Sequence, residues 1–269
     1  MPLLQTADTL VDYLVTGRGD PVTVFAHGLA GAIDETRPFG SGVRGTRAFL
    51  HFRGHGASSA PETPWTYDAL AAELSAVADH VGATRGLGVS LGAGALLRLA
   101  AERPERFERL VLVLPATIDR PRHDPAIERL QQMAAYVEAR DVEAVAGLLV
   151  TEQPEGARER PDVAVWARRQ ARRLTDTSVA RALRELPDAF PLADRAVLGR
   201  VRAPVLVVGQ HGDDAHPAHI AEELAQALPD ARLSLFDAGG VLWTHRRELR
   251  ELIAAFLNDT QPQRRSLKD

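Results

Sequence analysis

"RGLGVSLGAGALLRLAAE", residues 85–102 of a 269-residue chain, decides how the rest is read. A short apolar run, Arg85–Val89, enters Gly88-Val89-Ser90-Leu91-Gly92 and passes directly into an apolar, helix-forming stretch. A serine hydroxyl at the apex of a sharp strand-to-helix turn demands strained backbone angles and close packing on both sides. Glycine two positions before and two after the serine relieves that crowding. The helix begins at the serine, so its unpaired N–H groups and positive dipole end face the place where an oxyanion would form. Ser90 is therefore the candidate nucleophile, with the Leu91 N–H as one candidate oxyanion donor.

Working outward, further apolar or β-branched runs lie at Leu10–Val15, Val22–Ala26, Arg47–Phe52, Leu110–Leu114 and Pro204–Val208, with a weaker one at Arg232–Phe236. Runs such as VTVFA, LVLVL and PVLVV are too uniformly apolar for strands wet on one face, and predict parallel strands covered on both sides. Between them, Leu70, Leu74, Val77 and Val81 share one helical face, as do Leu249, Leu252, Ile253 and Phe256. Alternating strand and helix predicts a mostly parallel α/β sheet. The alternation stops between about residues 116 and 202, where six prolines and several helical stretches replace it. There Val163, Trp166, Ala167, Gln170, Ala171 and Leu174 share a face opposite Arg168, Arg169, Arg172 and Arg173. That basic face reads as solvated; the sharper alternative is an arginine clamp for an anionic substrate.

Two more motifs follow strand ends. In VTVFAHGLAG, His27-Gly28 closes a strand, and glycine there lets the next N–H, that of Leu29, turn toward the site as a second oxyanion donor. His27 reads as a structural residue that hydrogen-bonds this loop. In FRGHGASS, Phe52–Ser59, the residues Arg53, His55 and two glycines read as stabilisers of a tight loop.

Taken in order, His27-Gly28, Arg53-Gly54-His55-Gly56, Gly88-x-Ser90-x-Gly92, a helical insertion, APVLVVGQHGDD and a terminal helix ending IAAFL resemble the α/β-hydrolase superfamily. The resemblance spans nearly the whole chain. It implies an α/β-hydrolase fold with a mostly parallel eight-stranded sheet flanked by helices. Residues 1–115 and 196–258 would form the core, 116–195 a helical lid, and 259–269 a flexible polar tail. His51 departs from the pattern, since relatives often carry an acidic residue there.

The resemblance also implies a triad in the chain order serine, acid, histidine. Asp213, four residues before Pro217, matches the position of the acid, with its neighbour Asp214 as runner-up. A Gly-His pair should follow the strand Arg232–Phe236, but the chain has Gly239-Gly240 there, and the nearest histidine is His245. Three readings stay open. His245, just after the candidate N-cap Thr244, substitutes as base in a helix first turn, where the dipole keeps it neutral. Alternatively Ser90 is no acylating nucleophile, and the fold runs a cyclisation, lyase or rearrangement step. In the third reading the protein is an inactive ligand-binding relative. His211, His216 and His219 crowd the acid loop and read as surface polarity, although one of them could reach the pocket rim.

The chain has no cysteine, which removes disulfides, thiolate metal sites and a cysteine nucleophile together. A net charge of −4 argues against nucleic acid as the main partner. No run approaches the ~20 apolar residues of a membrane span, and the first residues lack the basic and apolar regions of a signal peptide, so a cytoplasmic location is expected. The expectation is an enzyme without metal or cofactor, acting on an ester, thioester, lactone or related carbonyl of a small, partly apolar molecule. A homodimer through the insertion is admissible, with nothing in the sequence arguing for it.

Overall fold

A computed structural model describes residues 1–122, 125–153 and 155–259. Eight strands, β1 (Leu3–Gln5), β2 (Leu10–Gly17), β3 (Val22–Ala26), β4 (Thr46–Leu50), β5 (Arg85–Val89), β6 (Arg109–Val113), β7 (Val205–Gln210) and β8 (Ala231–Phe236), form one sheet in the order β1-β2-β4-β3-β5-β6-β7-β8. The pairs β1–β2 and β2–β4 are antiparallel, and every other neighbouring pair is parallel. This is the α/β-hydrolase sheet the sequence implied. The central strands β3, β6 and most of β5 and β7 are buried along their length.

Among the described residues ten α-helices accompany the sheet: α1 (Ile33–Thr36), α2 (Tyr67–Val81), α3 (Leu91–Glu102), α4 (Ala126–Glu138), α5 (Val142–Thr151), α6 (Glu155–Arg158), α7 (Pro161–Thr175), α8 (Ala180–Glu185), α9 (Ala218–Ala227) and α10 (Arg246–Asn258). Because side chains alternate along a strand, each buried strand feeds two cores. Val24, Leu110, Leu112, Val205 and Val207 face Leu70 and Leu74 of α2, Leu96 and Leu99 of α3 and Leu224 of α9. Phe25, Val111, Val113, Leu206 and Val208 face Leu249, Ile253, Phe256 and Leu257 of α10. The helix α2 starts where Thr66 Oγ1 accepts the Ala69 N–H and stops at left-handed Gly82.

The helices α4 to α8 all lie between β6 and β7 in the chain, as an insertion in the strand sequence. No described helix is long and apolar enough to cross a membrane. Of the polar tail expected at 259–269, residues 260–269 lie outside the described residues.

Candidate active site

At the end of β5 the backbone of Ser90 takes φ +49° and ψ −109°, a left-handed conformation that a side-chain-bearing residue rarely adopts. It is held by its N–H to the Val113 carbonyl (2.9 Å) and by its own carbonyl, which accepts the Gly94 N–H (3.1 Å). The two motif glycines are steric requirements. A Cβ on Gly88 would sit 2.2 Å from the Gly92 carbonyl oxygen, and one on Gly92 would sit 2.5 Å from the Ala26 carbonyl oxygen. Strand, turn and helix are thus in backbone contact, and the serine hydroxyl stands at the C-terminal edge of the sheet.

The loop after β7 supplies the partners. Asp213 Oδ1 accepts the N–H groups of Ala215 and His216, both at 3.0 Å. Its other oxygen, Oδ2, accepts from His216 Nδ1 at 3.1 Å. With Nδ1 carrying the proton, His216 Nε2 is an acceptor, and the Ser90 hydroxyl lies 2.9 Å from it. Burial opposes ionisation of Asp213, but the facing His216 and the two backbone donors overcome it and hold the carboxyl below its ordinary value. The hydrogen-bond chain Ser90–His216–Asp213 is continuous.

Two of the three catalytic candidates from the sequence, Ser90 and Asp213, are therefore brought together, and His245 is not with them. His245 stands at the N-cap of α10, with Nδ1 3.6 Å from Glu248 and its ring 5.4 Å from that of Phe236. Thr244 does not cap that helix. It ends a π-helical turn, Gly240–Thr244, and its hydroxyl donates to the Gly239 carbonyl (2.7 Å). The physical reason lies in the glycines: Gly239 (φ +134°) and Gly240 (φ +89°) curl the chain into that turn instead of extending it toward the serine. The Val241 N–H then binds the Gln210 side chain.

The sequence places His216 on a polar loop as a solvent-facing residue, whereas the structure brings its ring against Ser90. The signal that could have singled it out is Asp-x-x-His just before a helix. At that spacing a carboxylate can cap both the backbone N–H and the ring N–H of one histidine.

On the other side of Ser90 lies the loop after β3. Gly28 packs against the serine, since a Cβ on it would meet Ser90 Cβ at 3.5 Å. Leu29 follows it, and Leu91 opens α3. Three histidines support this side, each donating from Nδ1 and accepting a backbone N–H at Nε2. His27 donates to the Gly28 carbonyl (2.7 Å) and accepts from Phe52 N–H (3.1 Å). His55 donates to the Arg53 carbonyl (2.9 Å) and accepts from Ala30 N–H (3.1 Å). His51 donates to Asp12 (2.9 Å) and accepts from Ile33 N–H (3.0 Å). Asp12, on β2, also accepts the Ala57 N–H, so an acid from a neighbouring strand serves the loop where His51 replaces the usual acid. Burial pushes His27 well below its ordinary value, assisted by the neighbouring His55 and His51. It pushes His55 down to about 4.

Beneath them the fully buried Arg53 donates to Glu73 (2.6 Å), Thr63 (3.1 Å) and Asp8 (3.3 Å). Above, α7 of the insertion docks onto the same region. Gln170 donates to the Ala30 carbonyl, and Arg173 donates to Asp34 (2.6 Å) and Glu35 (3.3 Å). Arg169 also lies 3.6 Å from Asp34. Two arginines of the basic face thus meet acids of α1, leaving the substrate-clamp alternative without them. Trp166 Nε1 reaches Glu35 (3.4 Å), and its ring meets Trp243 edge-on at 5.6 Å.

The alpha/beta hydrolase fold family model matches residues 21–241, and the chain belongs to that family. Among curated proteins, it is 31% identical over 188 residues to a pimeloyl-[acyl-carrier protein] methyl ester esterase of Nitrosomonas europaea, covering 68% of this chain and 73% of that protein. It is 31% identical over 226 residues to polyketide synthase ThaQ of Burkholderia thailandensis, covering 78% of this chain but 10% of that much longer protein. Among solved structures, the enol-lactonase of Burkholderia xenovorans superposes with a TM-score of 0.81 at 22% identity, over 96% of this chain and 100% of that one.

Proposed function

We propose that the protein is a serine hydrolase acting on acyl esters, thioesters or lactones, with Ser90 as nucleophile, His216 as general base and Asp213 as orienting acid. The observation that carries this is the continuous hydrogen-bond chain from Ser90 Oγ through both ring nitrogens of His216 to Asp213. A serine hydroxyl is a poor nucleophile without an adjacent base. Here the base accepts the hydroxyl proton as Oγ attacks the substrate carbonyl carbon. The developing oxyanion is held by the N–H groups of Leu29 and Leu91, which flank Ser90 on the Gly28 and α3 sides. The imidazolium, steadied by Asp213, returns its proton to the leaving alcohol, thiol or ring oxygen as the tetrahedral intermediate collapses. Water deprotonated by the same imidazole then releases the acid. Asp213 fixes the tautomer and stabilises the imidazolium without itself taking the proton.

The non-hydrolytic and binding-only readings rested on a missing base, and His216 beside Ser90 removes that reason for them. The similarity to a methyl ester esterase favours an ester or thioester of a chain-like acyl group. The helices α4 to α8 act in this reading as a lid, with Trp166 and Trp243 supplying apolar surface where α7 meets the core.

The test is turnover of a p-nitrophenyl acyl ester series by wild type and by Ser90→Ala, His216→Ala and His245→Ala. Wild type and His245→Ala should react, and the other two should be nearly inert. Full turnover by His216→Ala would sink the assignment.

A further inference from the structure

In this protein the acid and the base sit on one short loop, so whatever holds residues 213–216 holds two catalytic groups at once. Inside the loop, Asp213 grips the N–H of Ala215 and the backbone and ring of His216. Outside it, two arginines of the segment between β6 and β7 reach down. Arg122 Nη2 donates to the Ala215 carbonyl at 2.8 Å, so the peptide groups on both sides of Ala215 are held from opposite directions. Arg129, on α4, donates from Nη2 to Asp214 at 2.9 Å and from Nε to Glu152, which closes α5.

From these contacts we infer that Arg129 is a positioning residue, clamping the acid–base loop to the helical insertion so that His216 is aligned with Ser90 only when the insertion is docked. The inference rests on the triad proposed above.

Three carboxylates converge here, those of Asp213, Asp214 and Glu152. Burial raises Glu152 above its ordinary value, Arg129 counteracts this, and Asp214 and Asp213 raise it further, so all three acids are within electrostatic reach of one another. Among the described residues, these three acids, Arg122, Arg129 and His216 face the loop. Removing Arg129 leaves Asp214 and Glu152 to repel each other and frees the outer side of the loop. The pair is also open to water: the side chains of Arg129 and Asp214 are 25% and 58% exposed. The Asp214 side of the clamp is exposed and adds little to folding stability, whereas Glu152 is only 22% exposed, so the clamp should act mainly on alignment with a small loss of stability.

Steady-state kinetics on a p-nitrophenyl ester, with melting temperature measured alongside, tests this. Misplacing a catalytic group by about 1 Å can cost on the order of 100-fold. Arg129→Met should lower kcat by about 10- to 100-fold, with KM within about 3-fold and the melting temperature lowered by no more than a few degrees. Arg129→Lys, which restores the charge but not both contacts, should recover part of kcat. Raising the salt concentration should lower kcat in wild type and have little effect in Arg129→Met, because screening weakens an exposed pair. A wild-type kcat in Arg129→Met overturns the clamp. So does a rise in KM alone, which would make Arg129 a substrate contact, and so does a fall in kcat matched by lost stability and unrelieved by lysine. His216→Ala, run in parallel, separates the two levels. If it is inert while Arg129→Met is normal, only the clamp fails; if it is active, the triad assignment fails and takes the clamp with it.

Discussion

The loops after β7 and β8 divide the work differently from what chain order suggests. After β7, residues 211–217 carry the acid and the histidine that meets Ser90. After β8, where a catalytic histidine is expected by resemblance, two left-handed glycines wind the chain into a π-helical turn, and His245 faces Glu248 and Phe236. A base needs only to reach both its acid and its nucleophile, and the strand that delivers it is secondary. Three residues of separation let Asp213 hold the backbone and the ring of His216 together, whereas a base on a second loop would have to be oriented by that loop's own packing.

The contrast breaks or sharpens under substitution. The largest effects should come from Ser90→Ala and His216→Ala, each lowering kcat by about 10⁴- to 10⁶-fold in an ester assay, while His245→Ala keeps its rate. The opposite pattern for the two histidines would return the base to the β8 loop. Asp213→Asn should preserve the loop yet present the wrong tautomer to Ser90, lowering kcat by about 10³- to 10⁴-fold.

A third set of histidines sharpens the picture through pH. His27, His51 and His55 are held neutral by burial, with His55 pushed down to about 4. Protons that these residues refuse in the folded state are taken up by the unfolded chain as pH falls below about 6.5. Their contribution to stability is therefore complete above that pH and is lost on acidification. Urea unfolding should show the free energy falling between pH 6.5 and 4, by up to about 1.4 kcal/mol per pH unit for His55. His55→Gln, which removes one of these refused protons, should flatten that slope.

The post-β8 loop has work of its own, which Trp243→Ala isolates. Its indole donates to Gln153 (2.6 Å) and meets Trp166 edge-on. Losing that contact should lower stability by about 1–2 kcal/mol in thermal or denaturant unfolding, with kcat changed only a few-fold. The smallest effect belongs to His245→Ala, within about 0.5 kcal/mol in the same assay, because its pairing with Glu248 is exposed.

The sheet was legible because buried parallel strands are apolar throughout, as in VTVFA and LVLVL, and the elbow because backbone contact between Gly88, Gly92 and Ala26 admits no side chain. The edges were harder. β1 is three residues long and largely exposed, and β8 carries exposed Arg232 and Leu233, so neither shows the uniform pattern of the centre. Ser90 stands in a local motif, and Asp213 is expected only from the chain order that the resemblance implies. His216 could not be placed, because a histidine among His211 and His219 on a polar loop has no periodicity to mark it, and its role depends on a contact with a residue 126 positions earlier. Asp12 was missed for a similar reason: its partnership with His51 joins β2 to the loop after β4 and leaves no trace in spacing.

The buried guanidinium of Arg53 extends the site beyond what its chemistry would suggest. It ties the turn before β2, through Asp8 and Thr9, to Glu73 of α2. The Arg53 carbonyl orients His55, which in turn holds the Ala30 N–H next to Leu29. Heritable loss of turnover should therefore map to two sets of codons. One is the obvious set, Ser90 and His216; the other is Asp8, Thr9 and Glu73, whose side chains act through Arg53.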